Sequence, residues 1–263
     1  MLGLGSSLTT GGGVMALSPP DISGLDLWLK VNTGIVGNAG GASADGDMAN
    51  GEDINSWADQ SGKARHASQG TAAKKPHWET DAADFGAINF SNASALMQFD
   101  LAQYSSADIE VAGNTDFTIM IRAKVSDFSA ARSLIGATAS DVIKVSNTKQ
   151  IVNKIHDGTA NTWAESSDTL ATDTYYIFSL TRSDDSTGNL TMRVHGGSYT
   201  DKSWDSAESH TDADAFSINN IAAQQDGTLT FQGFMKDVIV WNGTALTTAQ
   251  RNDMYSYING QEY

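Results

Sequence analysis

The stretch that most constrains the fold of this chain runs from Phe231 to Ile258. Its first part, residues 231–241, alternates apolar and polar side chains, which is the period of a β-strand. From Val238 to Trp241 both faces are apolar, so we expect this strand to be covered on both sides. Such a strand belongs in the centre of a sheet and not at its edge.

The pattern then changes to that of a helix. An Asn-Gly turn at residues 242–243 precedes Thr247 and Gln250, which have the spacing of a capping box. Apolar residues recur at helical spacing from Met254 to Ile258. We therefore expect a short amphipathic helix after the buried strand, and a β-sandwich could use it to close an open end of its core.

The rest of the chain is rich in short strands. Residues 117–125 alternate apolar and polar side chains, and residues 175–181 and 190–194 form a hairpin around a loop of turn-forming residues. Near the start, Leu25, Leu27 and Leu29 are placed on one strand face. Strands at regular intervals with one late helix predict an all-β, antiparallel jelly-roll sandwich.

The first twenty residues differ from the sequence that follows. They are rich in Gly, Ser and Thr, they end in Pro19-Pro20, and they lack the basic start and unbroken apolar run of a signal peptide. We predict two parts: an extended arm at residues 1–20 and one sandwich domain at residues 21–263. One reading of the arm is a disordered tail. The other is an anchor ordered by a partner protein through five apolar side chains, namely Leu2, Leu4, Val14, Met15 and Leu17.

Charge and cysteine content narrow the possible partners. The formal net charge is −15, and such a charge repels nucleic-acid phosphates and anionic lipid. The chain has no cysteine, which excludes thiol chemistry and leans toward a bacterial, viral or cytosolic product. We expect neither a nucleic-acid nor a membrane partner.

Six segments, in order and spacing, resemble one known family. They read GLDLWLK, NSWADQSG, KPHW, AINF, DFTIMIRAKV and GFMKDVIVWNGTALTTAQRNDMYSYI. Together they are similar to the laminin-G-like, concanavalin A-like lectin/glucanase domain over residues 22–260. The resemblance implies the sandwich fold, but folds of this kind host many activities.

The glycine-rich start MLGLGSSLTTGGG resembles the N-terminal arms of virion proteins from tailed phages of marine cyanobacteria. This second resemblance implies a structural protein of the phage particle, made in the host cytoplasm and present in many copies. Its partners would be other virion proteins, bound through the arm.

The residues that glycan hydrolysis requires are not arranged as that reaction needs. Members of the family that cleave β-glucans carry a Glu-x-Asp-x-x-Glu pattern on one strand. Here no two glutamates lie within six residues of each other, and the five histidines are scattered. A Gly-x-Ser-x-Gly nucleophile motif is also missing from the sequence. We expect a protein that is not an enzyme.

Calcium is the one ion that the resemblance suggests, because laminin-G-like domains often bind it at the sandwich rim. The candidate ligands are Asp45, Asp47 and Asp59. Aspartate and glycine are also common in exposed turns, and that interpretation is the one we favour. No other cofactor is expected.

Five of the six tryptophans divide into two groups. Trp28, Trp57 and Trp241 lie in strands that belong to the core pattern, and we expect them to be buried. Trp163 and Trp204 lie in polar sequence that is typical of loops, where an exposed indole is costly unless it binds something. These two are the candidates for contact with a glycan.

Three hypotheses follow. The first is a virion structural protein, a decoration, neck, tail or fibre component that displays the lectin-like sandwich. The second is a carbohydrate-binding module that recognises host-surface glycans, which is compatible with the first. The third and least favoured is a glycan hydrolase.

Overall fold

The structure is a computed structural model. It describes residues 17–38, 48–80, 86–91, 99–100, 109–113, 115–137, 141–156, 161–165, 169–183, 190–205, 216–223 and 229–260. At 99, 100, 156, 161–165, 200, 201, 204 and 205 the description covers the backbone alone. Four of the five predicted anchoring residues, Leu2, Leu4, Val14 and Met15, lie outside these ranges.

Within the described residues the chain forms nineteen strands, one α-helix and two short 3-10 helices at Pro19–Asp21 and Ala72–Lys74. The strands are β1 (Leu25–Lys30), β2 (Ile35–Gly37), β3 (Ile54–Trp57), β4 (Ala67–Ser68), β5 (His77–Glu79), β6 (Ala87–Asn89), β7 (Phe99–Asp100), β8 (Ile109–Val111), β9 (Phe117–Val125), β10 (Arg132–Gly136), β11 (Val142–Val145), β12 (Ile151–His156), β13 (Asn161–Glu165), β14 (Tyr175–Arg182), β15 (Leu190–Gly196), β16 (Tyr199–Asp205), β17 (Phe216–Ile218), β18 (Asn220–Ile221) and β19 (Gly233–Asn242). The helix is α1 (Thr248–Asn259).

Two large antiparallel sheets face each other. The first sheet has the order β16-β15-β14-β9-β19-β6-β5, with β1 also paired to β19, and the second has the order β13-β12-β11-β10-β18-β7. Buried apolar residues from both sheets, among them Ile121 of β9 and Ile151 of β12, form one core between them. The prediction of an antiparallel β-sandwich is confirmed.

The first sheet is built around β19, as its sequence predicts. Strand β9 pairs along the whole of one edge of β19, while β1 and β6 pair end to end along the other. Eight of its ten residues are buried. The expected hairpin is also present, with β14 and β15 paired from Ile177 opposite His195 to Arg182 opposite Leu190.

The predicted helix forms, but it packs elsewhere than expected. Thr247 and Gln250 make the capping box, with the Gln250 backbone N–H donating to the Thr247 hydroxyl. Met254 and Ile258 then pack on the outer face of the first sheet, against Trp241 and its neighbours. The helix therefore covers a sheet face and does not close an open end of the core.

Strand β1 departs from simple alternation. Its pairing with β19 shifts between Leu25 and Leu27, which marks a β-bulge. As a result Leu27 and Leu29 point into the central core. Leu25 instead packs with the apolar cluster under α1, which includes Trp241, Met254 and Ile258. The expectation that all three leucines share one face is wrong, because an extra residue reverses the alternation.

Candidate functional site

The predicted glycan contacts, Trp163 and Trp204, lie in strands and not in loops. Trp163 is in β13, in register with Lys154, and Trp204 is in β16, in register with Met192, a residue of the central core. Polar edge strands and loops share the same composition, which explains why the sequence around these two tryptophans was interpreted as loop. The glycan role of both residues stays a prediction, because their side chains lie outside the described part.

Asp59, the one calcium candidate that the structure describes, has a structural role. Its Oδ1 atom accepts hydrogen bonds from the backbone N–H groups of Trp28 at 2.9 Å and Ser61 at 2.8 Å. Its Oδ2 atom accepts hydrogen bonds from the Ser61 hydroxyl at 2.7 Å and from the backbone N–H of Arg65 at 3.0 Å. Both oxygens therefore serve to hold a turn against β1.

The described residues hold no group of three or more His, Asp or Glu that could bind a metal ion. Asp45 and Asp47 lie outside those residues, so their calcium role stays a prediction. None of the helices that the structure describes is long and apolar enough to cross a membrane.

Leu17, the one anchoring residue that the structure describes, contacts the domain itself. It is half-buried and packs against the apolar cluster under α1. Two residues later, the carbonyl oxygen of Pro19 accepts a hydrogen bond from the Trp241 indole at 3.4 Å. The described end of the arm, residues 17–20, is therefore attached to the sandwich on the α1 side.

A group of charged and aromatic side chains lies on the outer face of the first sheet, beside the C-terminal end of α1. We call it the cation–aromatic cluster, and it consists of Lys30, Arg122, Lys124, Tyr175, Phe234, Lys236 and Asp237.

Four neighbouring strands supply these residues. Arg122 and Lys124 occupy the outward positions of β9, whose inward positions are apolar, and Tyr175 pairs with Lys124 from β14. On the other side of β9, Phe234 of β19 is also paired with Lys124. Both neighbours of Lys124 are thus aromatic rings on the same face.

A β-bulge in β19 adds two more charges to the cluster. The pairing with β9 shifts between Met235 and Asp237, so that Lys236 is the extra residue. Met235 and Val238 both point into the central core, and Lys236 and Asp237 therefore lie together on the outer face. A regular strand would turn one of them inward.

Three cations surround the Tyr175 ring. The distances to the ring centroid are 4.8 Å from Lys236 Nζ, 5.4 Å from Lys124 Nζ and 5.5 Å from Arg122 Cζ. Lys124 Nζ also lies 4.1 Å from the centroid of Phe234. These separations are within the range of cation–π attraction.

Asp237 is the carboxylate within this group, and its environment is unusual. The residue is 3% exposed, and burial raises the pKa of its carboxyl group to about 6, although Arg122, Lys30 and Lys236 each lower it. The Val31 backbone N–H donates to the carboxylate. Its Oδ2 atom is buried and has no hydrogen-bond partner within the described part of the chain.

The helix end helps to hold the positive charge. The Arg122 guanidinium donates a hydrogen bond to the Ile258 carbonyl oxygen in the last turn of α1, at 2.9 Å. The C-terminal end of a helix carries partial negative charge and stabilises nearby cations. This contact fixes Arg122 over the sheet.

The arrangement suits the binding of a ligand that stacks and accepts hydrogen bonds. Tyr175, Phe234 and Lys30 are half-buried, so part of each is open to solvent, while Lys124 and Lys236 are each 8% exposed. Buried lysine stems hold their ammonium groups in place, which reduces the entropy lost on binding. The alternation of residues 117–125 separated Arg122 and Lys124 from the apolar side chains of that strand, but it did not show that Tyr175, Phe234 and Lys236 join them.

Comparisons with known proteins bear on the fold alone. No protein-family model matches the sequence, and no curated protein matches it. Among solved structures, the chain is similar to a GH54 α-L-arabinofuranosidase, with 12% identity, a TM-score of 0.56, and coverage of 90% of this chain and 60% of that one.

The chain is also similar to two further solved structures. One is the CBM40 of the Ruminococcus gnavus IT-sialidase bound to α2,3-sialyllactose, with 13% identity, a TM-score of 0.39, and coverage of 62% of this chain and 87% of that one. The other is mouse laminin α1 chain domains LG4-5, with 14% identity, a TM-score of 0.40, and coverage of 54% and 38%. The class that the fold defines is the antiparallel β-sandwich.

Proposed function

We propose that this chain is a non-enzymatic, glycan-binding sandwich that is displayed on a phage particle through its N-terminal arm. The observation that carries the glycan-binding part is the cation–aromatic cluster. Half-buried aromatic rings stack on the apolar faces of sugar rings, and neighbouring cations donate hydrogen bonds to hydroxyl and acidic groups. Tyr175 and Phe234 supply the rings, and Lys124 and Lys236 supply the donors.

A hydrolase is the less favoured alternative. Hydrolysis of a glycosidic bond needs two carboxyl groups about 5 to 10 Å apart on either side of the bond. The cation–aromatic cluster contributes one, Asp237, which is buried among positive charges. This site therefore suits binding and not cleavage.

A glycan array with the full chain tests the binding proposal. Tyr175→Ala is expected to lower the affinity for any bound glycan at least tenfold, because it removes the stacking ring. Tyr199→Ala is the matched control, since Tyr199 is a half-buried tyrosine of the same sheet that packs against the central core. Loss of binding in Trp163→Ala or Trp204→Ala, with full binding in Tyr175→Ala, would show that the glycan binds at the sheet edges and not at the cation–aromatic cluster.

The virion role is supported by a separate observation, the way in which the arm joins the domain. Residues 17–22 pack on the α1 side, so the preceding residues start from a fixed position, as a tether to another protein requires. We propose that these preceding residues bind a neck, tail, fibre or capsid protein in many copies. Deletion of residues 1–16 should leave the domain folded and prevent incorporation into particles, and normal incorporation would refute the anchoring role.

A further inference from the structure

We propose that the cation–aromatic cluster recognises an acidic saccharide and that Asp237 controls its affinity, so that binding tightens when the medium is acidified. The proposal rests on the glycan-binding function proposed above, because it concerns the same site. It adds the chemical class of the ligand and a residue that regulates binding.

The charge of the cluster indicates an acidic ligand. Three cations lie within 5.5 Å of the centroid of one tyrosine ring, on a protein whose formal net charge is −15. Stacking of a neutral sugar needs the ring alone. A carboxylate or sulfate group on the sugar ring would gain charge-assisted hydrogen bonds from Lys124 and Lys236.

Asp237 is placed to change the charge of this site. It lies opposite Arg122 of β9 and opposite Lys30 of β1 in the strand register, so it is enclosed by cations on both sides. One carboxylate oxygen is buried and has no hydrogen-bond partner within the described ranges. A proton on that oxygen would therefore break no hydrogen bond to this part of the chain.

The direction of the effect follows from burial. Since desolvation raises the pKa of Asp237 to about 6, its carboxylate is ionised at neutral pH and cancels one positive charge of the cluster. Below about pH 6 the carboxyl group is protonated, and the net positive charge of the cluster rises by one unit. Carboxylate and sulfate groups of saccharides stay ionised at about pH 5.5. The affinity of the cluster for an acidic saccharide should therefore increase about fivefold.

Other polar and charged groups face Asp237 from the elements packed against it. They are Lys30 from β1, Arg122 from β9, Lys236 from β19 and, through Arg122, the Ile258 carbonyl of α1. Amines, guanidinium groups and peptide carbonyls do not ordinarily titrate between pH 5 and 7.5. One histidine also lies on the α1 side of this sheet: the His195 ring stacks on the Tyr255 ring of α1 with 4.4 Å between the centroids, and a variant at this position serves as a control.

Isothermal titration calorimetry with three probes tests the proposal. The probes are an oligogalacturonate, a sulfated galactan oligosaccharide and a neutral galactan oligosaccharide of matched length, each at about pH 7.5 and 5.5 and fixed ionic strength. The native chain is expected to bind an acidic probe more tightly than the neutral one, and about fivefold more tightly at the lower pH. The stronger of the two acidic probes identifies the acid group.

Variants then assign the effect to Asp237. Asp237→Asn should bind at both pH values with the affinity that the native chain has at the lower pH. His195→Gln should keep the native pH dependence, and Lys202→Gln, which replaces an exposed lysine of β16, should behave as the native chain does. Loss of the pH dependence in His195→Gln would overturn the assignment.

Two results separate this proposal from the one it rests on. Equal binding of neutral and acidic probes, or an affinity of the native chain that does not change with pH, would overturn it while glycan binding stands. Absence of binding to every glycan on the array would overturn the proposed function itself. The native pH profile decides the matter even if Asp237→Asn fails to fold.

Discussion

At the scale of single residues, Asp237 shows how much a buried charge depends on its neighbours. A carboxylate that is 3% exposed loses most of its hydration, and the cations around it offset only part of that loss. Two such cations, Lys30 and Arg122, are more than ninety residues apart in sequence. The sequence around Asp237 contains no sign of this environment.

The raised pKa of Asp237 predicts how stability changes with pH. Between pH 4 and 6 the folded state keeps a proton that the unfolded state has lost, so the stability contributed by this group falls as pH rises through that window. In urea unfolding, the free energy of unfolding of the native chain minus that of Asp237→Asn should therefore fall by roughly 2 kcal/mol from pH 4 to 6 and stay nearly constant above about pH 7. A difference that does not change with pH would contradict the burial of the charge.

Gly233 shows a second constraint at the scale of one residue, because β19 begins where its backbone meets that of β9. Its φ is +153°, and an added Cβ would collide with the Lys124 carbonyl oxygen, an atom of the strand backbone that cannot move aside. Gly233→Ala should lower the free energy of unfolding by at least about 2 kcal/mol more than Gly51→Ala does.

Gly51→Ala is the control, because Gly51 has φ +78° with no atom near the added Cβ. It should cost about 1 kcal/mol for the left-handed backbone alone. Equal losses of unfolding free energy in the two variants, measured by urea unfolding, would show that the close approach of Gly233 to β9 does not affect stability.

At the scale of elements, α1 illustrates what local sequence decides. The Thr247 side chain accepts from the Gln250 N–H, and the Gln250 side chain accepts from the Thr247 N–H at 2.9 Å. These bonds depend on residues three apart, so the sequence predicts the start of the helix. The face on which the helix packs depends on Ile177 and Ile239, which belong to two different strands.

The capping box makes a stability prediction for α1. Thr247→Ala should lower the free energy of unfolding by about 1 kcal/mol, because it leaves one backbone N–H of the first turn without its acceptor. Asn252→Ala, at an exposed position of the same helix, should change it by less than about 0.5 kcal/mol. Tryptophan fluorescence during urea unfolding measures both free-energy changes. Equal changes in the two variants would show that the capping box does not stabilise the helix.

At the scale of the whole molecule, the contacts of the domain begin before its first strand. Leu17 packs under α1, Ile22 is 3% exposed within the same cluster, and Pro19 bonds to Trp241. The sequence placed the end of the arm at residue 20, where the two prolines end. These contacts attach residues 17–20 to the sandwich as well.

Two truncations test this attachment. Deletion of residues 1–16 should leave the thermal midpoint of unfolding unchanged, because none of the contacts named above is removed. Deletion of residues 1–22 should lower it by several degrees, since burial of Ile22 and the bond to Trp241 are lost. An unchanged midpoint in the longer deletion would show that the arm is independent of the domain up to β1.

The sequence by itself determined the elements whose signals are local: the central strand β19, the capped helix α1, the hairpin of β14 and β15, and hence the all-β class. Alternation, turn residues and caps act over a few positions, so they can be seen without a structure. Only the tertiary structure decided the face that α1 covers, the bulge at Lys236, and the meeting of Lys124, Tyr175 and Asp237. The bulge and the meeting of these three residues arise from strand pairing between residues that are about 50 to 115 positions apart, and the face that α1 covers depends on its packing against Ile177 and Ile239. Register and burial act together there, and local pattern has no influence.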